Sequence, residues 1–231
     1  MDRFTGIKAL TFDIYGTVLD LGGSLKPFIA RFLQARGLNL SVEQFWGDWR
    51  ARQRIEQFQD SLLMLGHSGY LETSRRACVY TLGLHGISTT AVEVKGIMAG
   101  WEELSPFPDV VGALDRLKGR YKLMALSNGE PEYLQRMLRN RIRFDFDASL
   151  SVDAVGAFKP HPAVYRRAAA VLGLEVGQCM MVTAHSFDAV GARASGFKAA
   201  YVNRYRLPYD DTPYRPQVVV KDFTELADAL L

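Results

Sequence analysis

Two cysteines among 231 residues, Cys78 and Cys179, are too few for a disulfide framework. Both sit among apolar neighbours, which reads as buried free thiols in a reducing cytoplasm. No run of about 18 apolar residues occurs, so no transmembrane helix is expected. The opening stretch MDRFTGIKALTF lacks the long apolar segment and the small-residue cleavage site of a secretory signal. There is no long basic run, and the net charge is only +3. That is too weak to argue for nucleic acid, and none is expected as a partner, although it suits a small anionic substrate. Internal repeats and low-complexity segments are also missing. What is present is ordinary for a globular protein: 48% hydrophobic and 23% charged residues, enough for one domain with an insertion or two small domains.

One absence is local. At TFDIYGT, Thr11 to Thr17, an apolar run that begins upstream, Ile7, Ala9, Leu10 and Phe12, ends at a lone carboxylate, Asp13. Two residues later stands Tyr15 and not a second aspartate.

The C-terminal half alternates short apolar runs with helical patterns. Strands are expected at residues 121–126, 179–183, 199–202 and 218–220. Helices are expected near 131–138, from Lys159-Pro160 through HPAVYRRAAAVLGL, and at 188–194 before Gly196. Alternation of this kind predicts an α/β fold, a doubly wound parallel sheet covered on both faces. Residues 21–105 differ. SLKPFIARFLQARG, SVEQFWGDWRARQRIEQF, LETSRRACVYTLGL and TAVEVKGIMAGWEEL each fit one amphipathic helix, with glycines between. The expected organisation is a core of residues 1–20 and 106–231 carrying an inserted helical cap at 21–105.

Ligands of an open parallel sheet bind beyond the carboxyl ends of its strands. The expected ends carry Asp13, Tyr15 and Thr17; then Ser127, Asn128 and Gly129; a further loop brings Lys159; the last brings Thr183, His185 and Asp188. Together they offer a nucleophilic carboxylate, a fixed cation, several hydroxyl and amide groups and a second carboxylate.

FDIYGT, LSNG, FKPHPAVY and VTAHSFDAVGARASGF, in this order and spacing, resemble the four motifs of the haloacid dehalogenase superfamily, and more narrowly the L-2-haloacid dehalogenases. WRARQ in the cap region resembles a further family feature. The resemblance implies an aspartate nucleophile, Asp13, oriented by Thr17 and Ser127, with no metal and no cofactor. It implies that Lys159 neutralises the site, that Tyr165 supports Lys159 and substrate, and that Asp188 assists hydrolysis. It places Arg50 and Asn128 against substrate or departing halide, and it implies a homodimer.

Phosphatases of the superfamily resemble Asp-x-Asp at the first strand, where the second aspartate protonates the leaving alcohol and Mg²⁺ brings two anions together. Tyr15 and Thr183 stand where such enzymes place carboxylates. A halide leaves as a stable anion and needs no general acid. A nearby Lys⁺ keeps a carboxylate ionised, and Lys159 and Arg50 offset the charge of a carboxylate substrate. The reaction expected is metal-independent hydrolysis of short 2-haloacids, (S)-2-haloacid to (R)-2-hydroxy acid, through an ester on Asp13.

Trp46, Arg50 and Gln53 recur at helical spacing and share a face, which suits a lid over a small carboxylate. The better-known L-2-haloacid dehalogenases resemble Ser-Ser-Asn where this chain has Thr183-Ala184-His185, so His185 bears on substrate size. Haloacetates, fluoroacetate included, stay open as substrates. So do another activated carbon such as a small cyclic amino acid, a phosphate ester, and a non-catalytic binding protein. The loop YVNRYRLPYDDTPYRP is either an interface or a long connection.

Overall fold

The computed structural model describes residues 4, 6–64 and 66–231. Residues 1–3 and 5, part of the stretch read above as lacking a leader, and residue 65 lie outside that set. The chain divides into two compact units, Met1–Leu19 with Pro106–Leu231, and Asp20–Ser105.

The first unit is built on six strands: β1 (Ala9–Phe12), β4 (Lys122–Ser127), β5 (Ala148–Ser151), β6 (Cys179–Thr183), β7 (Lys198–Val202) and β8 (Val218–Val220). Two-residue strands β2 (Leu19–Asp20) and β3 (Ser105–Pro106) fall where the chain passes from one unit to the other. The six-stranded sheet runs β5-β4-β1-β6-β7-β8, and every pairing is parallel. β1 and β6 are buried along their whole length, which explains their continuous apolar sequences. Crossovers move outward from β1 to β4 and β5, then return past β1 to β6. Strand order therefore reverses between β1 and β6, where Asp13 and the 183–188 segment emerge.

Helices α5 (Val110–Lys118) and α6 (Pro131–Arg136) precede and follow β4; α7 (Pro162–Leu172) and α8 (Ser186–Ala194) precede and follow β6; α9 (Phe223–Leu230) ends the chain. Right-handed crossovers place α5 and α6 on one face and α7 and α8 on the other. Packing of α5 on α9 and of α7 on α8 agrees with that arrangement.

Several local expectations change. The helix after Lys159 starts at Pro162, capped by His161, whose Nδ1 accepts from Ala163 N; Pro160 precedes it. The helix at Pro131 continues through a π-helical turn, Met137–Ile142. β5 carried no strand signal because alanine and serine are weak strand formers, and it is an edge strand.

The second unit is helical: α1 (Leu21–Ala35), α2 (Val42–Leu62), α3 (Tyr70–Leu84) and α4 (Ala91–Met98), followed by a 3-10 turn, Ala99–Glu103. Ser41 caps α2, and Thr90 with Glu93 forms a capping box on α4. Trp49 and Trp101 fill its centre. No helix among the described residues is long and apolar enough to cross a membrane.

Candidate active site

Asp13 follows β1, and its backbone N–H donates to Val182 O, so the sheet ladder fixes where its side chain starts. The carboxylate is almost closed to water. Oδ1 accepts from Lys159 Nζ at 2.7 Å, and Oδ2 accepts from Thr17 Oγ1 at 2.5 Å. Thr17 Oγ1 in turn accepts from Ala184 N at 2.8 Å, so one hydroxyl joins the loops after β1 and β6.

Lys159 uses all three ammonium protons. They go to Asp13, to Asp188 Oδ2 at 2.9 Å and to Leu126 O at 3.2 Å. Asn128 Oδ1 accepts from Lys159 N at 2.9 Å, so the loop after β4 positions the lysine backbone. Asp188 lies in the first turn of α8, fully buried, with Oδ1 accepting from Tyr165 Oη at 2.7 Å.

Burial opposes charge on each of these groups, and their mutual arrangement decides the outcome. Burial favours a neutral Asp13, but the Lys159 charge, then His185 and the hydrogen bonds from Lys159 and Thr17, outweigh it and hold the carboxyl below its usual range. Asp188 is pushed up, because burial and the nearby Asp13 charge exceed what Lys159 and Tyr165 restore. Burial lowers Lys159, but the two carboxylates more than compensate, and the ammonium stays protonated above its usual range. Tyr165 is driven well above its ordinary value by burial and then by Asp188, so it acts as a donor. Neither cysteine is activated: burial raises Cys78 to about 12 and Cys179 to about 11.

Three expected contacts differ. Ser127 Oγ accepts from Gly129 N at 3.0 Å and does not bond Asp13, so it shapes the 127–129 turn. Tyr165 reaches Asp188 and not Lys159, whose protons are already taken. Thr183, expected among the substrate- or halide-binding residues, is fully buried, and its Oγ1 accepts from His185 N at 3.1 Å.

Tyr15 is buried and packed in place. Its ring stacks on Tyr133 at 5.6 Å, and a Cβ on Gly129 would come within 2.6 Å of its hydroxyl. The glycine of LSNG therefore makes room for the tyrosine of FDIYGT. His185 stacks on Phe187, and its Nε2 lies 3.0 Å from Tyr15 O and 3.7 Å from Asp13 Oδ2. A carbonyl only accepts, so Nε2 carries a proton.

The second unit keeps Trp46, Arg50 and Gln53 together on α2. Arg50 donates to Gln53 Oε1 and lies 5.6 Å from the Trp46 ring centre. Gln53 is fully buried, and its Nε2 finds no partner among the described residues.

Two contributors escaped the sequence reading. Arg204 Nε donates to Thr17 O at 3.1 Å, and Tyr205 Oη donates to Gly16 O at 3.0 Å. Both lie in the tyrosine-rich loop after β7. Its position at a strand end was the signal available.

A family model described as haloacid dehalogenase-like hydrolase matches residues 7–196. An (S)-2-haloacid dehalogenase of Xanthobacter autotrophicus is 35% identical over 199 residues, covering 86% of this chain and 76% of that protein. The crystal structure of the L-2-haloacid dehalogenase RSc1362 superposes with a TM-score of 0.89 at 27% identity, covering 97% of this chain and 98% of that one. The L-2-haloacid dehalogenase of Xanthobacter autotrophicus with chloropropionic acid covalently bound superposes with a TM-score of 0.80 at 28% identity, covering 96% and 97%.

Proposed function

This chain belongs to the haloacid dehalogenase-like hydrolases, and from that premise we propose that it hydrolyses short (S)-2-haloacids to (R)-2-hydroxy acids and halide. The observation that carries the reading is the ammonium of Lys159 seated between two buried carboxylates, 2.7 Å from Asp13 and 2.9 Å from Asp188. It keeps Asp13 ionised in a nearly dry site.

An Asp13 oxygen attacks C2 opposite the halogen. The C2–O bond forms as the C2–halogen bond breaks, and halide leaves with the electron pair. Water then adds to Cγ of Asp13, and one of its protons passes to Asp188, whose burial favours the protonated form. The oxyanion collapses, the bond from Cγ to the substrate oxygen breaks, and that oxygen takes the proton from Asp188 as the hydroxy acid leaves; the second water proton, left on Asp13, passes to solvent and restores the carboxylate. C2 inverts once. Thr17 holds Asp13 in line, Asn128 sets the Lys159 backbone, and Tyr165 holds Asp188. We assign the 20–105 helical unit the role of a lid, with Arg50 and Gln53 donating to the substrate carboxylate or the departing halide; the orphaned Gln53 N–H supports that assignment. We also read the enzyme as a cytoplasmic homodimer. Apolar side chains exposed on α2 and α3, Leu62 and Leu84 among them, support a dimer.

Haloacetates, fluoroacetate included, are the second reading, favoured by the His185 ring occupying space 3.7 Å from Asp13.

Single turnover of 2-chloropropionate in ¹⁸O-water tests the route. The product should carry no label and Asp13 should acquire it. Label appearing directly in the hydroxy acid rejects the ester. Activity on phosphate esters that needs Mg²⁺ and disappears with chelator, without halide release from any haloacid, rejects the substrate class.

A further inference from the structure

The loop that follows Asp13 is held by three side chains on three successive carbonyls. His185 Nε2 donates to Tyr15 O at 3.0 Å, Tyr205 Oη to Gly16 O at 3.0 Å, and Arg204 Nε to Thr17 O at 3.1 Å. None of the three comes from the loop itself. His185 follows β6, and Arg204 and Tyr205 follow β7.

Two of the three donors, His185 and Arg204, are themselves fixed. The His185 ring stacks on Phe187. It also lies so close to Gly16 that a Cβ there would meet Nε2 at 2.9 Å. Gly16 has φ +92, which glycine alone adopts without strain, so the chain at this point is both turned and pressed flat against the ring. Arg204 is braced twice. Its guanidinium lies 3.9 Å from the Phe107 ring centre and makes two hydrogen bonds to Asp109, at 3.1 and 2.9 Å. Asp109 also accepts from Phe223 N at 2.7 Å, which ties the arginine to the start of α9.

We propose that Arg204, Tyr205 and His185 form a clamp that sets the nucleophile loop, and that Arg204 and Tyr205 are positioning residues acting through Thr17. Thr17 must present Oγ1 to Asp13 Oδ2 while accepting from Ala184 N. That geometry holds only if the 15–17 backbone cannot roll. Three carbonyls fixed from outside remove the rotation, because each peptide plane is anchored at its oxygen. The carboxylate then points along one line of attack, where a displacement of about 1 Å costs on the order of a hundredfold in rate.

The inference rests on the dehalogenase reading, and the experiment separates the two. Tyr205→Phe removes one hydroxyl and keeps the ring. Arg204→Lys keeps the charge and removes the Nε donor. Tyr209→Phe, on the same loop with its hydroxyl donating to Tyr214 O, is the control. Amide hydrogen exchange over residues 13–19 is measured beside halide release from 2-chloropropionate. Tyr205→Phe and Arg204→Lys should speed exchange in that segment and lower kcat about tenfold, with KM within about twofold of wild type. Tyr209→Phe should change neither. Unchanged exchange and unchanged kcat in both variants overturn the clamp, and so does faster exchange with kcat intact. A wild-type protein inert toward every haloacid overturns the functional reading instead, while the exchange data still decide whether the loop is held as described.

Discussion

Lys159 donates a 2.7 Å hydrogen bond to Oδ1 of Asp13, with both side chains shut off from solvent. The same nitrogen serves Asp188. Lys159→Met would leave two carboxylates without a counter-charge. Breaking a buried pair from one side costs about 3–5 kcal/mol. Halide release should fall at least about a hundredfold, and the urea midpoint should drop with it. Titrating halide and recording unfolding on one preparation checks both.

The two carboxylates should separate in pH. Asp13 is held below its usual range and Asp188 above it. As pH falls, Asp188 protonates first, while Asp13 remains ionised. Ester formation then continues after its hydrolysis has slowed. Acid-quenched mass spectrometry should find the Asp13 ester accumulating on the acid side of the profile and vanishing toward neutral pH. An ester level independent of pH would remove Asp188 from the hydrolytic step.

Tyr165→Phe deletes the hydroxyl that donates to Asp188, at 2.7 Å to Oδ1 and 3.2 Å to the backbone O, and keeps the ring, which is fully buried against Phe197. Losing a hydrogen bond to a charged group is worth about 1.5–3 kcal/mol. Steady-state turnover should slow roughly ten- to a hundredfold, with the halide burst of the first turnover preserved. Rapid-quench kinetics separate the two phases.

Gly129 and Tyr15 should be coupled. A methyl on Gly129 would lie 2.6–3.0 Å from the Tyr15 ring and hydroxyl, and the stack on Tyr133 leaves that ring little freedom. Gly129→Ala should cost about 1–3 kcal/mol through overpacking. Adding Tyr15→Leu should recover much of the lost stability. A double-mutant cycle on urea midpoints reads the coupling directly.

Asp109 should carry acid-sensitive stability. Burial opposes its charge, but hydrogen bonds from Arg204 and Phe223 N, with the arginine charge, hold the carboxyl below its usual range. A depressed folded pKa gives stability that is fully present above the unfolded carboxylate value. It is lost as pH falls through the folded one. Asp109→Asn should be about 2 kcal/mol less stable near neutral pH, with the difference from wild type shrinking in acid. Denaturant midpoints across pH provide the check.

Much of the candidate site was legible along the chain. An apolar run ending in Asp13, the spacing of Ser127-Asn128, Lys159 and Asp188, and the missing carboxylate at Tyr15 are local features, and alternating strand and helix patterns place them at strand ends. The four helical segments of residues 21–105 show in their 3.6-residue periodicity, which needs no tertiary information. Partners are another matter. Nothing in the sequence says that Ser127 turns to Gly129 and away from Asp13, or that Tyr165 serves Asp188 and not Lys159. Nor does it say that a loop reading as either an interface or a long connection donates to the carbonyls of Gly16 and Thr17. Those choices depend on strand order, which brings the loops after β1, β6 and β7 side by side. Periodicity records which face of an element is buried, but a hydrogen bond between residues such as Thr17 and Arg204, 187 positions apart, exists only once the whole sheet has packed.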